Sequence, residues 1–123
     1  VHLLLTNSVF KYIFTLKIIT ILEKLLEDGS RFYLKGNFKR AIDCFLKVLE
    51  NEPNNTKALF YLSIAYMDLN KYNEAIEVID RLIKIEPDNA LAYKNRALIK
   101  YSQNKEKEAM ADYKVFVKLS QKE

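Results

Sequence analysis

A period of 34 residues runs through the sequence and limits the folds that this chain can adopt. Residues 71–90, KYNEAIEVIDRLIKIEPDNA, match residues 37–56, NFKRAIDCFLKVLENEPNNT, in residue type at most positions. The identical pairs include Ala41 and Ala75, Ile42 and Ile76, Glu52 and Glu86, Pro53 and Pro87, and Asn55 and Asn89. Self-similarity at a fixed spacing of this length is typical of proteins that stack one supersecondary unit.

Each repeat contains two segments in which apolar residues recur three and four positions apart, the pattern of a helix with one buried face. In the second repeat these segments cover about 56–69 and 72–85. Asn70 lies between them, and the corresponding positions of the other repeats hold Gly36 and Asn104. Glycine and asparagine readily adopt the left-handed conformation that ends a helix. The pattern therefore predicts an antiparallel helix–turn–helix unit, with a first helix A and a second helix B.

Proline and asparagine mark the joints between successive units. Pro53 and Pro87 disfavour the helical conformation of the residue before them, and so predict the end of helix B. Asparagine, aspartate or threonine side chains follow each proline and can cap the next helix A. These candidate caps are Asn54, Asn55, Thr56, Asp88 and Asn89.

Pro53 and Pro87 locate the ends of two units, and the 34-residue period then predicts three repeats, at 22–55, 56–89 and 90–123. The chain has 123 residues with only 2 Gly and 2 Pro, and half of its residues are apolar, which favours an all-α domain with a core. Lys11 and Lys17 lie in a stretch without acidic residues, and the other 18 basic residues are nearly balanced by 16 acidic ones. No basic stripe of the kind that binds nucleic acid is present in the sequence, so we expect no nucleic-acid partner.

Bulky, small, aromatic, alanine, bulky and proline residues recur in this order, and the pattern resembles the tetratricopeptide repeat (TPR). The first repeat fills it with Leu25, Gly29, Phe32, Ala41, Phe45 and Pro53, and the second with Leu59, Ser63, Tyr66, Ala75, Ile79 and Pro87. The third has Tyr93, Ala97, Ala109 and Tyr113, but Lys100 replaces the aromatic residue and Gln121 the proline. Tyr101 lies one residue further on, and two interpretations stay open. Either it supplies the aromatic side chain that Lys100 lacks, or this position of the third repeat has none. The resemblance implies an all-α, right-handed superhelix, an α-solenoid of helix–turn–helix units.

The resemblance also implies a scaffold or adaptor for protein–protein contacts, whose A helices line a concave groove that binds a peptide or a helix of a partner. The predicted groove residues are Tyr33, Lys57, Phe60, Tyr61, Ile64, Met67, Lys94, Asn95, Leu98 and Tyr101, with Glu23, Leu26, Glu27, Ser30 and Leu34 from the first repeat. Tyrosine and methionine are favoured at binding surfaces because they supply adaptable contact area. In the alternative interpretation, several of these residues pack against helix A of a neighbouring repeat.

One subclass of the family, which docks chaperone tails, holds the partner's carboxylate with lysine, arginine and asparagine at five groove positions. This chain has Leu26, Ser30, Tyr61, Leu91 and Asn95 at those positions, and none of them matches. A carboxylate there would lack its ion pairs. We therefore do not expect docking of a chaperone tail.

Nothing in the sequence points to catalysis. His2 is the only histidine, at a chain end where we expect it to be exposed, and Cys44 is the only cysteine, which we expect to be a small buried side chain in a helix. The sequence contains neither a metal-ligand set nor a glycine-rich phosphate loop. We therefore expect no enzymatic activity, no cofactor and no metal.

Residues 1–21 do not continue the repeat backwards, and three interpretations stay open. As a helix, the segment would place Phe10, Ile13, Phe14, Ile18 and Ile21 on one face and could pack against the first repeat as a cap. As an apolar segment without acidic residues, it could contact a membrane or direct secretion, although Lys11 and Lys17 interrupt it. It could also be an artefact of the start position, because the first residue is Val1.

TPR arrays normally end with a helix that covers the last repeat. Here Val117 and Leu119 lie at positions that such a helix would cover. The sequence is therefore expected to belong to a longer protein, or to use this face to meet a partner or a second copy in a concentration-dependent homodimer. The alternative function is a membrane-tethered or structural subunit that assembles through its last repeat. Accordingly, the expected location is the cytoplasm, or a membrane surface through residues 1–21.

Overall fold

A computed structural model of the chain describes residues 2–122, with side chains described from residue 6 onward. All secondary structure within this part of the chain is helical, so the all-α class is confirmed. The six helices are α1 (His2–Leu34), α2 (Phe38–Asn51), α3 (Thr56–Asp68), α4 (Tyr72–Ile85), α5 (Ala90–Ser102) and α6 (Glu106–Ser120). They form three hairpins, α1–α2, α3–α4 and α5–α6, which stack in chain order. The exact repeat limits stay predictions.

The three hairpin turns have the same backbone geometry. Gly36, Asn70 and Asn104 have positive φ angles of 79°, 60° and 63°, as their residue types predict. The next residue in each turn donates its amide hydrogen back to a carbonyl oxygen five residues earlier, over 2.8 to 2.9 Å. These bonds satisfy carbonyl groups at the end of each A helix, and each hairpin therefore closes in the same way.

The joints between hairpins are capped as predicted. Helices α2 and α4 end just before Pro53 and Pro87. The Asn55 side chain accepts a hydrogen bond from the amide of Ala58 at 2.9 Å, and Asn89 accepts one from Ala92 at 3.1 Å. Each bond satisfies an amide at the start of a helix that would otherwise have no partner.

Small residues allow the A and B helices to approach closely. Ala41 and Ala75 are fully buried on the B helices, and Gly29 and Ser63 are buried on the A helices. A Cβ atom on Gly29 would lie 2.5 Å from Cε1 of Phe45, well inside van der Waals contact. Glycine is therefore needed at this helix crossing because of the ring behind it.

The third hairpin replaces an apolar contact with charges. Arg96, Lys100 and Asp112 occupy the positions that Leu62, Tyr66 and Val78 hold one repeat earlier. Asp112 is buried and binds both Arg96 and Lys100. Tyr101 is 64% exposed, so it does not compensate for the aromatic residue missing at Lys100. An ion cluster joins α5 to α6 instead.

Residues 6–21 continue α1 as one helix beyond the end of the first hairpin. Of the five residues predicted to cap the first repeat, Ile18 packs against the core, whereas Phe10, Ile13, Phe14 and Ile21 are exposed. The helix is present, but these four side chains do not cap the first repeat, because residues 6–21 continue α1 as one unbroken helix and leave the four exposed. The predicted exposure of His2 lies outside the described side chains. No helix within the described residues has the length and apolar character needed to cross a membrane.

Candidate partner-binding groove

Helices α1 and α3 enclose an open cavity of about 620 Å³ on the side of the molecule where the A helices lie. Charged and apolar side chains both contribute to its lining. Its lining residues are Glu23, Leu26, Glu27, Ser30, Arg31, Leu34, Lys57 and Tyr61. This cavity is called the outer groove below.

A second, mainly apolar cavity of about 270 Å³ adjoins the outer groove and is called the inner pocket. It is lined by Ser30, Tyr33, Leu34, Phe45, Tyr61 and Ile64. Ser30, Leu34 and Tyr61 line both cavities. The two spaces therefore form one continuous depression, with charged side chains in the outer groove and a mainly apolar lining in the inner pocket.

Aromatic packing shapes the inner pocket. The ring of Tyr61 stacks on buried Phe45, with 5.7 Å between the ring centroids. Phe60 meets the same Tyr61 ring edge-on, at 5.8 Å. Leu34, by contrast, is 83% exposed at the mouth. The pocket therefore has a rigid aromatic floor and an apolar side chain available for contact at its edge.

Tyr33 and Asp68 link α1 to α3 beside the inner pocket. The Tyr33 Oη atom donates a hydrogen bond to Oδ2 of Asp68. Burial, together with this hydrogen bond and the negative charge of Asp68, raises the pKa of Tyr33 from 10.0 to about 12. Tyr33 is therefore a neutral hydrogen-bond donor at neutral pH, and its phenol is already used in holding the two helices together.

Charges of both signs surround the outer groove. Arg31 pairs with Asp28 at 3.3 Å on the same helix. Glu23, Glu27 and Lys57 form no ion pair within the described part of the chain. These three groups can therefore bind a charged partner without first breaking an internal ion pair.

Helices α5 and α6 enclose a separate cavity of about 400 Å³, called the end cavity. Its walls are mainly apolar, with a charged residue on each helix. The lining residues are Lys94, Ala97, Leu98, Tyr101, Glu106, Ala109, Met110 and Tyr113. Val117 and Leu119, which the sequence pointed to at this face, are not among them.

The structure divides the ten predicted groove residues among three environments. Tyr33, Lys57, Tyr61 and Ile64 line the depression between α1 and α3, and Lys94, Leu98 and Tyr101 line the end cavity. Phe60, Met67 and Asn95 line none of these three cavities. Phe60 and Met67 pack against the core, which agrees with the alternative that some of these residues contact neighbouring repeats.

Sequence reasoning missed seven lining residues, which are Arg31, Phe45, Ala97, Glu106, Ala109, Met110 and Tyr113. Phe45, Ala97, Ala109 and Tyr113 were identified as positions of the repeat pattern, which did not reveal that they also border a cavity. Met110 lies on helix B, whereas the predicted groove was confined to the A helices. Among the described residues, no group of three or more His, Cys, Asp or Glu side chains is placed to hold a metal ion.

A sequence profile of the tetratricopeptide repeat matches residues 32–99, more than half of the chain. The chain belongs to the tetratricopeptide repeat family. The TPR resemblance seen in the sequence is thereby confirmed, together with the α-solenoid fold class.

Among proteins of known sequence, the TPR repeat-containing protein MJ1428 of Methanocaldococcus jannaschii is 35% identical over 94 residues. That alignment covers 76% of this chain and 16% of the archaeal protein, so the chain spans a small part of its relative's length. Human DnaJ homolog subfamily C member 7 is 31% identical over 91 residues, which are 71% of this chain and 18% of that protein.

The first TPR of Spaghetti (RPAP3), solved bound to the HSP90 peptide SRMEEVD, superposes with a TM-score of 0.79 at 24% identity. The match covers 85% of this chain and 82% of the solved chain. At this level of identity the likeness shows that the two proteins share the TPR fold.

Proposed function

We propose that this TPR domain is an adaptor that binds a peptide or a helix of a partner protein in the depression between α1 and α3. The observation that carries the proposal is the continuity of the outer groove with the inner pocket through Ser30, Leu34 and Tyr61. The combined depression has the size and the mixed lining typical of ligand sites, mainly apolar with a few polar groups.

The two halves of the depression suit different parts of one ligand. The inner pocket fits an apolar side chain, which would contact Leu34, Tyr61 and Ile64. The outer groove fits a polar flank of the same segment, because Glu23, Glu27 and Lys57 offer both signs of charge. The proposed partner segment therefore has an apolar anchor beside charged residues of mixed sign.

This proposed partner differs from the HSP90 peptide bound by the RPAP3 domain. Three of the five positions expected to hold a carboxylate clamp, Leu26, Ser30 and Tyr61, line the outer groove here. Leu91 is exposed and Asn95 is half-buried at the other two. None of the five carries the lysine, arginine or matching asparagine of the clamp, which argues for a partner without that acidic tail.

Affinity capture from a lysate with mass spectrometry, comparing the wild-type chain with Leu34→Glu, tests the proposal. Leu34 is a suitable probe because it lines both cavities while its side chain is largely exposed, so the substitution should leave the fold intact. Ile85→Glu is the matched control, since Ile85 is an exposed apolar residue at the end of α4. A partner lost with Leu34→Glu and kept with Ile85→Glu supports the groove. Equal capture by all three proteins would refute it.

Tyr61→Ala and Leu98→Ala then determine how far the binding surface extends. Tyr61 lines the depression between α1 and α3, whereas Leu98 lines the end cavity. Loss of one partner with both substitutions indicates a surface that continues along the A helices. Loss with Tyr61→Ala alone confines that partner to α1 and α3.

The end cavity favours a second candidate function, that of a structural subunit which assembles through its last repeat. Its mainly apolar lining includes Leu98, Met110 and Tyr113, which are all exposed. Clustered apolar side chains of this kind mark contact surfaces more often than solvated ones. Chromatography of the wild-type chain and of Met110→Glu over a range of concentrations distinguishes assembly through this cavity from a monomer.

A further inference from the structure

Two apolar surfaces of the described chain lie on helices that do not contact each other. One is the end cavity between α5 and α6. The other is the projecting part of α1, which exposes a dense set of large apolar side chains. These are Val9, Phe10, Tyr12, Ile13, Phe14, Leu16, Ile19 and Ile21. A helix with this many exposed apolar groups marks an interaction site.

The end cavity repeats an interface that the chain already forms twice. Phe45, Ile79 and Tyr113 stand at equivalent positions on the three B helices. Phe45 and Ile79 are 0% exposed, because α3 and α5 pack against the hairpins that contain them, whereas Tyr113 is 48% exposed. The end cavity is therefore shaped to receive an α-helix in the way that the first two hairpins do.

The existing interface also indicates the chemistry of the helix that fits. In the first of the two interfaces, Tyr61 of α3 stacks on Phe45, so an aromatic side chain faces the position that Tyr113 occupies in the third hairpin. In the second interface Asn95 stands at the position equivalent to Tyr61. The projecting part of α1 offers Phe10 and Phe14, which lie one turn apart on the same helix face. Met110 beside Tyr113 supplies an adaptable contact for such rings.

Charge complementarity points the same way. Glu106 and Lys94 both line the end cavity, and neither takes an ion pair within the part of the chain that the structure describes. Lys94 Nζ lies over the Phe116 ring, 5.5 Å from its centroid, which leaves Glu106 as the charge available to a lysine of a docked helix. Residues 6–21 contain Lys11 and Lys17 and no acidic residue. A docked α1 segment would therefore place a lysine near Glu106 without bringing a second carboxylate to it.

We propose that residues 6–21 of one copy of this chain dock as a helix in the end cavity of a second copy. The inference rests on the second candidate function above and adds the surface that fills the cavity. Because the two surfaces differ, the contact is heterologous, and an open assembly keeps one free projecting helix at one end and one free end cavity at the other. Repetition of this contact builds an open, concentration-dependent series unless the rotation between successive copies closes it into a ring.

Sedimentation velocity on two variants tests this arrangement. Met110→Glu places a carboxylate in the end cavity, and the double variant Phe10→Glu/Phe14→Glu places two on the projecting helix. Each variant alone should self-associate at least about tenfold more weakly than wild type, because burying an unpaired charge is costly. Ile85→Glu is the control and should associate like wild type, and circular dichroism should show equal helicity for all four proteins.

Mixing the two variants is the decisive step. The Met110→Glu protein keeps an intact projecting helix, and the Phe10→Glu/Phe14→Glu protein keeps an intact end cavity. An equimolar mixture should therefore form a heterodimer and stop at that size, because each partner then has only damaged surfaces left. An isologous contact, in which one surface binds itself, would not be restored by mixing.

Other results would overturn the inference in distinguishable ways. If Met110→Glu weakens association and the α1 variant does not, the last repeat still mediates assembly, but a surface other than residues 6–21 fills the end cavity. Loss with the α1 variant alone would mean that the projecting helices pair with each other. A wild-type monomer at all concentrations would remove both the inference and the second candidate function. If that monomer co-floats with anionic phospholipid vesicles, residues 6–21 contact a membrane surface instead.

Discussion

The guanidinium group of Arg96 binds both carboxylate oxygens of Asp112, with Nε 2.9 Å from Oδ2 and Nη2 2.8 Å from Oδ1. Lys100 Nζ lies 2.9 Å from the same Oδ2 atom, and Arg96 Nη1 bonds Asp80 on α4 at 2.9 Å. The cluster therefore joins α4, α5 and α6. Planar, paired contacts of this kind are stronger and more directional than single ones.

Removing the Asp112 carboxylate alone should lower the free energy of unfolding much more than replacing all three residues of the cluster with those of the second repeat. In Asp112→Ala, Arg96 and Lys100 would lose their common partner while remaining largely buried, with side chains 20% and 18% exposed. Breaking one side of a buried ion pair typically costs about 3–5 kcal/mol. We expect a loss at the lower end of that range, measured as the free energy of unfolding in urea.

The triple variant Arg96→Leu/Lys100→Tyr/Asp112→Val is the matched control, because it installs the residues of the second repeat at the equivalent positions. Replacing a buried ion cluster by packed apolar residues is often neutral or stabilising. The triple variant should therefore be about as stable as wild type. If it unfolds as easily as Asp112→Ala, the cluster contributes more than apolar packing can replace.

Acid should weaken the third hairpin through the same carboxylate. Burial by itself would raise the pKa of Asp112, but the hydrogen bonds and positive charges of Arg96 and Lys100 outweigh it and lower the pKa below its ordinary value of 3.8. The folded protein thus holds this proton less tightly than the unfolded chain. Ionised Asp112 stabilises the fold above pH 3.8, and this contribution is lost as the pH falls through the lower folded pKa.

Urea unfolding followed from about pH 6 to pH 2 should show the effect as a difference between two proteins. Wild type should lose more stability over this range than the triple variant, which has no carboxylate at residue 112. Parallel pH profiles for the two proteins would contradict the role assigned to Asp112.

Gly29→Ala should destabilise the first hairpin, although alanine normally favours a helix over glycine. The added Cβ would lie 2.5 Å from Cε1 of the buried Phe45 ring, which has little room to move. Overpacking of this kind costs about 1–3 kcal/mol. Thermal denaturation of Gly29→Ala, Phe45→Leu and the double variant checks the cause, since the smaller side chain should relieve the clash. Additive losses in the double variant would show that the ring is not responsible.

The peptide SRMEEVD should not bind this domain with the affinity of a specific ligand, because five clamp positions lack the groups that would hold its carboxylates. Fluorescence anisotropy with a labelled peptide measures this directly. A gain-of-function variant is the control, with Leu26→Lys, Ser30→Asn, Tyr61→Asn, Leu91→Lys and Asn95→Arg. Saturable binding to wild type would mean that the domain holds the peptide in another way.

The turns and joints could be predicted from the sequence because they depend on local chemistry. A left-handed residue is needed at Gly36, Asn70 and Asn104, and few residue types supply it. The amides at the start of α3 and α5 need a hydrogen-bond acceptor close in sequence, which Asn55 and Asn89 supply. The 34-residue spacing then places every helix in the correct order.

The candidate site was harder to predict because it depends on which helices have neighbours. The repeat pattern assigns Tyr61 and Leu98 to one groove, but their surroundings differ. Helix α3 contacts an A helix on each side, α1 and α5, whereas α5 contacts only α3 among the described A helices. In the repeat pattern alone, Lys100 is a mismatch at an aromatic position. The structure shows that its ammonium group pairs with Asp112. The repeat pattern describes each position by itself, and therefore does not predict which two side chains form a contact.

Helix α1 runs without a break from its exposed apolar part to Leu34 at the edge of the groove. At 1.5 Å per residue it is a rod of about 50 Å. No proline interrupts it, and its one glycine, Gly29, is held against Phe45. A partner that binds residues 6–21 therefore also fixes the orientation of the outer groove, because the same continuous helix forms one wall of that groove.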